Sequence, residues 1–447
     1  MNFLLRPFYR VHRLGLGLRQ WCLSRFTPAG LAVLCALVAA TVLGPDTDNN
    51  VAYQALALLL GLMVVATMCI WTFRGSFSAQ RLLPRFGTAG CPLSYTVQVR
   101  NLTAKNQAGL MLVEELADSW PSFEDWRAAH AAERKRLRSF RFSGRQRSNL
   151  FKAATVKEVV VPTATPQEEV EVRLQLTPLR RGALQFKAVR LARPDPLGLV
   201  RSFAKVPLQQ RTLILPRRYP LPPLSFPGTL KYQDGGVALA SNVGQSEEFV
   251  ALRDYRHGDP LRHIHWRTWA KAGKPVVKEF EDEFFVRHAL VLDTFTTDPN
   301  SEVFEEAVSV AASFACAIQT QESLLDLLFV GPQSFRFTAG RGLAHTEQML
   351  EILASVRPCD NQSFGALEHL VLNHIAAVSG CLCVFLTWDK PRREFVEKIK
   401  RLNIPLLVLV LVEPGGAALE PGPMSDDPGK FRVLELGRIE QDLAKLT

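Results

Sequence analysis

Two uncharged apolar runs stand near the start of the chain, at residues 28–43 and 51–73. The residues between them, 44–50, are rich in turn formers. A helix needs about 20 apolar residues to cross a bilayer, so the second run is long enough and the first is slightly short. The pattern predicts a transmembrane helical hairpin over residues 28–73. A cleaved signal peptide and a buried soluble hairpin are the alternatives.

The charges that flank this predicted hairpin favour one orientation. Residues 1–27 contain five arginines and residues 74–90 contain three, and neither stretch contains an acid. Because basic residues favour the cytoplasmic side of a membrane, we expect a two-pass protein with both termini and all soluble domains in the cytoplasm. Residues 1–27 also mix arginines with apolar residues, as a basic amphipathic segment that can lie along the membrane surface.

Short alternating runs take over at about residue 79. Residues 94–100, 169–176 and 184–191 alternate between polar and apolar positions, and turn residues separate them. Several short strands at this spacing predict a β-sandwich domain over residues 79–217. The prediction places a basic insertion of helix-like composition at 119–152 inside this domain and a proline-rich linker at 218–243 after it.

Residues 284–447 show a different pattern. Continuous apolar runs at 286–292, 324–330, 382–386 and 405–412 are separated by stretches of helical period. Strands without alternation, separated by helices, indicate a parallel sheet that is covered on both faces. We therefore expect a doubly wound α/β domain with ligand sites where strands end, just after 292 and 386. The predicted fold class is a membrane-anchored α+β multidomain protein.

The segment between the two soluble domains, residues 244–283, is dense in charged and aromatic residues. Its spacing E-F-x-x-L-R-x-Y-x-x-G-D-x-x-R-x-I-x-W resembles the signature of the "domain of unknown function 58" (DUF58) family. Two shorter stretches, Arg180-Arg181-Gly182 and Asp195-Pro196-Leu197-Gly198-Leu199, are similar to further segments of that family. The candidate binding residues of the signature are Glu248, Phe249, Arg253, Tyr255, Gly258, Asp259, Arg262 and Trp266.

The resemblance implies a setting rather than a reaction. DUF58 proteins have no established reaction, their last third is similar to von Willebrand factor type A domains, and they are commonly encoded beside MoxR-type AAA+ ATPases and transglutaminase-like membrane proteins. It therefore implies a scaffold or adaptor at the bacterial inner membrane that docks such a partner during assembly or maturation of a membrane or envelope complex. The signature would form a rigid junction between the soluble domains, with Ile264 and Trp266 facing a core.

A von Willebrand A-like domain also raises a metal-dependent alternative. Domains of that type bind a divalent cation with D-x-S-x-S after the first strand, whereas this chain reads Asp293-Thr294-Phe295-Thr296-Thr297. Phenylalanine cannot ligate a cation, so Asp293, Thr297 and Asp389 remain as candidate oxygen ligands for Mg²⁺. The sequence predicts a degenerate site without a required cofactor. A metal-dependent enzyme or adhesion switch stays open as the alternative.

The distribution of charge narrows the choice of partner. The chain has a formal net charge of +10, and the excess lies in the first 90 residues and in the basic insertion. A nucleic-acid-binding protein would spread its basic face over a folded domain, so we expect no nucleic-acid partner. The insertion could contact anionic lipid or an acidic partner, or form a solvated loop. Its candidate contact residues are Arg134, Lys135, Arg136, Arg138, Arg141, Arg145 and Arg147.

Motifs of catalysis are missing from the sequence. It contains no phosphate-binding P-loop, no G-x-S-x-G and no H-E-x-x-H. The eight cysteines lack zinc-site spacing and are expected to be reduced. His257, His263 and His265 lie within nine residues, but packing and hydrogen bonding are commoner roles than a transition-metal site. We assign no catalytic residue, and a binding protein is favoured over an enzyme.

Overall fold

The computed structural model divides the chain into two compact units, Met1–Arg217 and Arg218–Thr447. The described residues are 2–43, 50–73, 75–117, 123, 126–127, 152–222, 249–257, 259, 261–280, 286–298, 300–318, 323–340, 343–415 and 419–446. The described residues form helices and several β-sheets, so the predicted mixed α+β class is confirmed.

Three helices open the first unit. They are α1 (Asn2–Arg25), α2 (Pro28–Leu43) and α3 (Asn50–Thr72). Within the described part of the chain, only α3 is long and apolar enough to cross a membrane, over the 19 residues Tyr53–Trp71. Helix α2 has 16 residues, below the usual range of about 17 to 25. The expected hairpin of two spanning helices is therefore reduced to one helix that meets the criterion, and residues 44–49 lie outside the described residues.

Two sheets follow in the same unit and share one core. The first has the strand order β1-β3-β7-β5 and the second the order β2-β9-β8-β4-β6. Alternate residues of each strand point inwards, so Val97 and Leu174 of the first sheet pack against Leu112, Phe186 and Leu191 of the second. The strands are β1 (Phe77–Leu82), β2 (Phe86–Thr88), β3 (Leu93–Asn101), β4 (Met111–Leu116), β5 (Ala154–Val156), β6 (Val159–Val160), β7 (Glu169–Pro178), β8 (Gly182–Pro194) and β9 (Arg201–Leu215).

The second unit begins with a small hairpin. Strands β10 (Phe249–Asp254) and β11 (Val276–Phe280) pair in an antiparallel manner. Between them lie a short 3-10 turn, Leu261–His263, and the seven-residue helix α4 (Trp266–Ala272). Gly273 ends this helix in the left-handed conformation at φ 71°, which glycine adopts without steric cost.

A six-stranded sheet forms the rest of this unit, in the order β14-β13-β12-β15-β16-β17. Five strands run parallel, and β14 pairs antiparallel with β13 at one edge. The predicted runs at 286–292, 324–330, 382–386 and 405–412 correspond to β12, β13, β15 and β16. The elements are β12 (Val286–Leu292), α5 (Glu302–Ala317), β13 (Ser323–Val330), β14 (Ser334–Ala339), α6 (Leu343–Ser355), α7 (Phe364–Leu372), β15 (Gly380–Phe385), α8 (Lys390–Arg401), β16 (Leu406–Val412), β17 (Phe431–Glu435) and α9 (Ile439–Leu443).

Candidate functional site

The carboxyl ends of β12 and β15 lie side by side, which is the edge where the sequence predicts a ligand site. Asp293 follows β12 directly and is fully buried. Its carboxylate accepts hydrogen bonds from the backbone amides of Phe295, at 3.0 Å, and Leu386, at 3.2 Å. One buried carboxylate therefore joins the loops that follow the two strands.

The guanidinium of Arg392 lies between two of the predicted metal ligands. Its Nε and Nη2 donate to Oδ2 of Asp293 at 3.1 and 3.0 Å, and its Nη1 donates to Oδ2 of Asp389 at 2.6 Å. The same group stacks over the Phe364 ring, with Cζ 4.5 Å from the centroid. A cation that belongs to the protein thus bridges the carboxylates that a divalent cation would otherwise share.

Local structure explains why Arg392 reaches this position. Asp389 is the N-cap of α8 and accepts a hydrogen bond from the backbone amide of Arg392. Arg392 therefore stands in the first turn of α8 and is only 6 % exposed. Burial raises the pKa of Asp293, while Arg392 and the two backbone donors act against that rise.

The other members of the predicted metal site do not converge on it. Thr297 is exposed on the loop before α5. Thr294 is buried and its hydroxyl donates to the backbone carbonyl of Val330. Phe295, at the first serine position of the metal motif, packs its ring 5.9 Å from that of Phe364. Within the described ranges, no group of three or more His, Cys, Asp or Glu side chains is placed to hold a metal ion.

The signature segment forms the hairpin β10–β11, and an ion pair fixes the turn that follows β10. Arg253 donates from Nη1 and Nη2 to the two carboxylate oxygens of Asp259, at 2.7 and 2.9 Å. Asp259 also accepts a hydrogen bond from the backbone amide of Arg256, at 2.8 Å. The bonds from Arg253, first, and from Arg256 lower the pKa of Asp259 to about 2. The turn after β10 is therefore locked by residues of the signature itself.

Trp266 of the signature faces solvent. It is 63 % exposed, whereas Ile264 is 6 % exposed and pairs with Val277 of β11. The expectation that both would face a core is corrected for Trp266, because α4 begins at this residue and turns the ring outwards. The ring stacks on Trp269, with centroids 5.1 Å apart and planes inclined by 21°.

The remaining predicted residues are not brought together into one cluster. Tyr255 is half-buried and its backbone amide donates to Pro275. Phe249 opens β10 and Arg262 lies in the 3-10 turn. His257 is exposed, and His265 precedes α4 with Nδ1 2.6 Å from the Thr268 hydroxyl. The predicted residues outside the described ones are Glu248, Gly258, Arg134, Lys135, Arg136, Arg138, Arg141, Arg145 and Arg147.

The turn between β8 and β9 forms a second group of interacting residues, and the sequence alone predicts no role for it. Oδ1 of Asp195 accepts from the backbone amides of Leu199 and Val200, both at 2.7 Å. The backbone carbonyl of Leu199 in the same turn accepts a hydrogen bond from the backbone amide of Thr27 at 3.0 Å. A Cβ on Gly30 would lie 1.9 Å from the same carbonyl oxygen. Only glycine lets α2 approach the turn this closely.

Leu199 and Val200 also bury their side chains against the helices. They form a small apolar cluster with Ala66 of α3, and Phe26, Val33, Leu62 and Ile70 pack around it. The Asp-Pro-Leu-Gly-Leu segment is therefore a clamp that holds α2 and α3 to the β-sheets of the first unit. The Asp-Pro-x-Gly turn was visible in the sequence, but its partner Thr27 lies 172 residues away from Leu199.

Comparison with known proteins supports the resemblance found in the signature. Residues 251–411 match the family described as "Protein of unknown function DUF58". This DUF58 match covers less than half of the chain. Uncharacterized protein YeaD of Bacillus subtilis (strain 168) is 28% identical over 211 residues, or 46% of this chain and 50% of YeaD. The chain thus spans about half the length of that curated relative.

Solved structures resemble the chain only weakly. The CARDB domain of the PF1109 protein from Pyrococcus furiosus is 11% identical, with a TM-score of 0.17, over 32% of this chain and 89% of that one. AggA, the major subunit of aggregative adherence fimbriae type I from Escherichia coli, is 7% identical, with a TM-score of 0.17, over 32% of this chain and 96% of that one. Similarity this weak does not identify a shared fold.

Proposed function

We propose that this chain is a membrane-anchored binding protein of the DUF58 type, which faces the cytoplasm and docks a protein partner through its signature hairpin. The observation that carries the proposal is Trp266, a large aromatic side chain that is 63 % exposed on a segment otherwise held rigid. Contiguous exposed apolar surface marks interaction sites, and the Trp266 ring extends such a surface by stacking on Trp269.

The surroundings of Trp266 have the composition of a protein interface. Leu261, in the 3-10 turn before α4, is 66 % exposed. Arg267 and Lys271, which lie on α4 with Trp266, are also exposed. We call Leu261, Trp266, Arg267 and Lys271 the signature platform. Tryptophan and arginine dominate the energetically important positions of protein interfaces. Stacking on Trp269 and the lock between Arg253 and Asp259 fix the platform in advance, which lowers the entropy cost of binding.

Anchoring is supported by α3 and by the charge that surrounds it. Helix α3 has adequate length, and the stretches on either side of the two apolar helices, residues 1–27 and 74–90, are rich in arginine and free of acids. This pattern favours a bilayer location with the folded units on the cytoplasmic side. We propose that α2 completes a two-helix hairpin with α3, since the two helices contact one another. In this proposal the protein resides in the inner membrane of a bacterium.

The parallel sheet of the second unit suits a von Willebrand A-like domain whose cation site has been replaced by Arg392. The bridge from Arg392 to Asp293 and Asp389 already neutralises the two carboxylates, so the metal-dependent alternative has less support than binding. The anionic-lipid alternative depends on the basic residues of the insertion between 134 and 147, which are outside the described residues. A MoxR-type AAA+ ATPase or a transglutaminase-like membrane protein as the partner is supported by the family resemblance alone.

A photocrosslinking experiment in intact cells tests the docking proposal. The photoreactive amino acid p-benzoylphenylalanine is placed at position 266 of the full chain, and a matched control carries it at Leu402, which is 52 % exposed in the same unit. We expect a discrete protein adduct from position 266 and none from position 402. Mass spectrometry of the adduct then shows whether the partner is an AAA+ ATPase. The absence of any adduct specific to position 266 would contradict the proposal.

A further inference from the structure

Helix α1 carries an apolar stripe that points away from the rest of its unit. Val11, Leu14, Leu18 and Trp21 are spaced three and four residues apart, so they share one side of the helix. They are 67 %, 72 %, 64 % and 53 % exposed, respectively. Four large apolar side chains in one row are a costly surface to leave in water, at about 25 cal/mol for each Å² of apolar area.

The opposite side of α1 is already occupied by protein. The Tyr9 ring packs against Phe123 and Trp126, with centroid distances of 5.6 and 5.4 Å. Arg6 lies over the Phe123 ring, with Cζ 5.7 Å from the centroid. Tyr9 is about half a helical turn away from the stripe, so the two faces of α1 differ in kind. One face is held by the chain itself and the other is presented outwards.

Charge on α1 is of one sign only. The helix contains five arginines and no aspartate or glutamate. Arg10 and Arg19 stand on either side of the stripe by their positions on the helix, and both are exposed. A basic residue near a membrane surface gains about 1 kcal/mol from anionic headgroups. An outward apolar row flanked by arginines is therefore complementary to an anionic bilayer surface.

The end of α1 is tied to the helices of the proposed anchor. Phe26 pairs with Val200, and the next residue, Thr27, binds the clamp turn just before α2 begins. The clamp also contacts α3 through Ala66. The stripe is thus part of the same compact unit as the candidate membrane span, and continuity with that span favours lipid over a protein partner as the occupant.

We propose that α1 lies in the plane of the membrane interface, with Val11, Leu14, Leu18 and Trp21 in the boundary between headgroups and acyl chains. Helices of this kind bury their apolar face to a depth of about 5–10 Å. Tryptophan prefers this level of the bilayer, which suits Trp21 at the end of the stripe. The inference rests on the membrane anchoring proposed above. It adds a lipid-binding surface of this chain that is separate from the spanning helix.

The experiment places an environment-sensitive fluorescent amino acid in the full chain, reconstituted in vesicles of phosphatidylcholine with a minority of phosphatidylglycerol. Positions 14 and 18 report on the stripe, and position 13, an exposed arginine on the other side of α1, is the matched control. Position 60 in α3 reports on the span. Quenching is measured with lipids that carry a nitroxide near the headgroup or near the end of the acyl chain, and with iodide in the water.

We expect blue-shifted emission at positions 14 and 18, with stronger quenching by the shallow nitroxide than by the deep one and protection from iodide. Position 13 should be reached by iodide, and position 60 should be quenched best by the deep nitroxide. If position 60 behaves so but 14 and 18 are reached by iodide, or are shielded from both iodide and lipid, the in-plane helix is overturned while the anchor stands. If position 60 is also untouched by lipid, the anchoring itself fails.

Discussion

Each unit of the chain holds a buried arginine bound to a carboxylate, and the two pairs have different roles. In the first unit Arg81 of β1 binds Glu114 of β4, at 2.7 Å, and neither side chain has any exposed surface. In the second unit Arg392 binds Asp293, but it also reaches Asp389, whose side chain is 46 % exposed. The first pair is sealed inside a core, and the second lies at the edge of a sheet.

Arg81 donates four hydrogen bonds within the sandwich. Besides Glu114, its Nη1 donates to the backbone carbonyl of Leu208 and to the side chain of Gln210, at 3.1 and 3.2 Å. Its guanidinium also lies 4.6 Å from the centroid of the Phe186 ring. Because β1 and β4 belong to different sheets, this pair joins the two layers of the sandwich. Its role is structural.

Arg392 instead joins loops that follow strands, where the ligands of α/β sheets bind. The same chemical pair is therefore an internal cross-link in one place and, in our proposal, a substitute for a bound cation in the other. The position of each pair in the fold accounts for the difference. The Arg392 pair lies after the strands, where a ligand can reach it, whereas the Arg81 pair has no exposed side-chain surface. The two pairs should respond differently to substitution.

The largest effect is expected from breaking the sealed pair. Glu114→Ala leaves the Arg81 guanidinium buried without its counter-ion, which should lower the free energy of unfolding of the first unit by about 3–5 kcal/mol. Chemical denaturation of the detergent-solubilised protein, followed by a probe in the sandwich, measures this loss. Mg²⁺ should have no influence on it.

The control for this prediction replaces both partners by apolar residues, Arg81→Met with Glu114→Leu. Removing both charges of a buried pair is often close to neutral, so the double variant should be much more stable than Glu114→Ala alone. A double variant at least as unstable as the sum of the two single variants would show that the charges do not act as a pair, and would remove one side of the comparison.

The buried strands of the second unit could be predicted because a strand that is buried on both faces has mostly apolar residues next to one another in the sequence. Residues 286–292 become β12, which is buried nearly throughout, and a largely apolar run without alternation predicts such a strand, although Arg287 and His288 stand within it. Strand β14, Ser334–Ala339, was missed because it lies at the sheet edge and its residues are mostly exposed or half-buried. An edge strand needs only one neighbour, so its sequence carries a weaker signal.

The candidate site was harder to predict because the residues that contact one another there are far apart in the sequence. Asp293 was identified from its place after an apolar run, but Arg392 lies 99 residues later and nothing local connects them. Trp266 was expected inside because its neighbour Ile264 is apolar and two residues away, as on one face of a strand. A helix begins there instead, and the change of period from 2 to 3.6 turns the ring outwards.

Arg392→Ala should have an intermediate effect and reveal a latent cation site. Hydrogen bonds to charged groups contribute about 1.5–3 kcal/mol, so the second unit should lose roughly that much stability. Without the guanidinium, the carboxylates of Asp293 and Asp389 are free to bind a hard cation through oxygen. We expect Mg²⁺ to restore part of the loss in this variant, as a rise in the thermal midpoint.

The adjacent substitution Arg393→Ala is the matched control, because Arg393 follows in α8 without a bond to Asp293. It should gain no response to Mg²⁺. Should the unaltered protein be stabilised by Mg²⁺, with that response lost in Asp293→Ala, the metal-dependent alternative would be favoured over a site filled by Arg392.

The smallest effect is expected from the half-buried pair of the signature, Arg253 with Asp259. Here the arginine mainly keeps the carboxylate ionised, since hydrogen bonds from Arg253 and Arg256 lower the pKa of Asp259 from 3.8 to about 2. A lowered pKa stabilises the fold only above the unfolded value, so this contribution is present above about pH 4 and is lost as the pH falls towards 2. Exposure to solvent keeps the contribution small.

Carbon-13 spectroscopy of labelled aspartate carboxyls measures this titration, with Asp259→Asn used to assign the signal. The midpoint should lie near 2 in the unaltered chain and move towards 3.8 in Arg253→Gln. Lys274→Gln is the matched control, because Lys274 pairs with Asp254 instead and should leave the midpoint unchanged. An ordinary midpoint in the unaltered chain would mean that the turn is not locked in solution. The signature platform would then lack the rigidity on which the docking proposal depends.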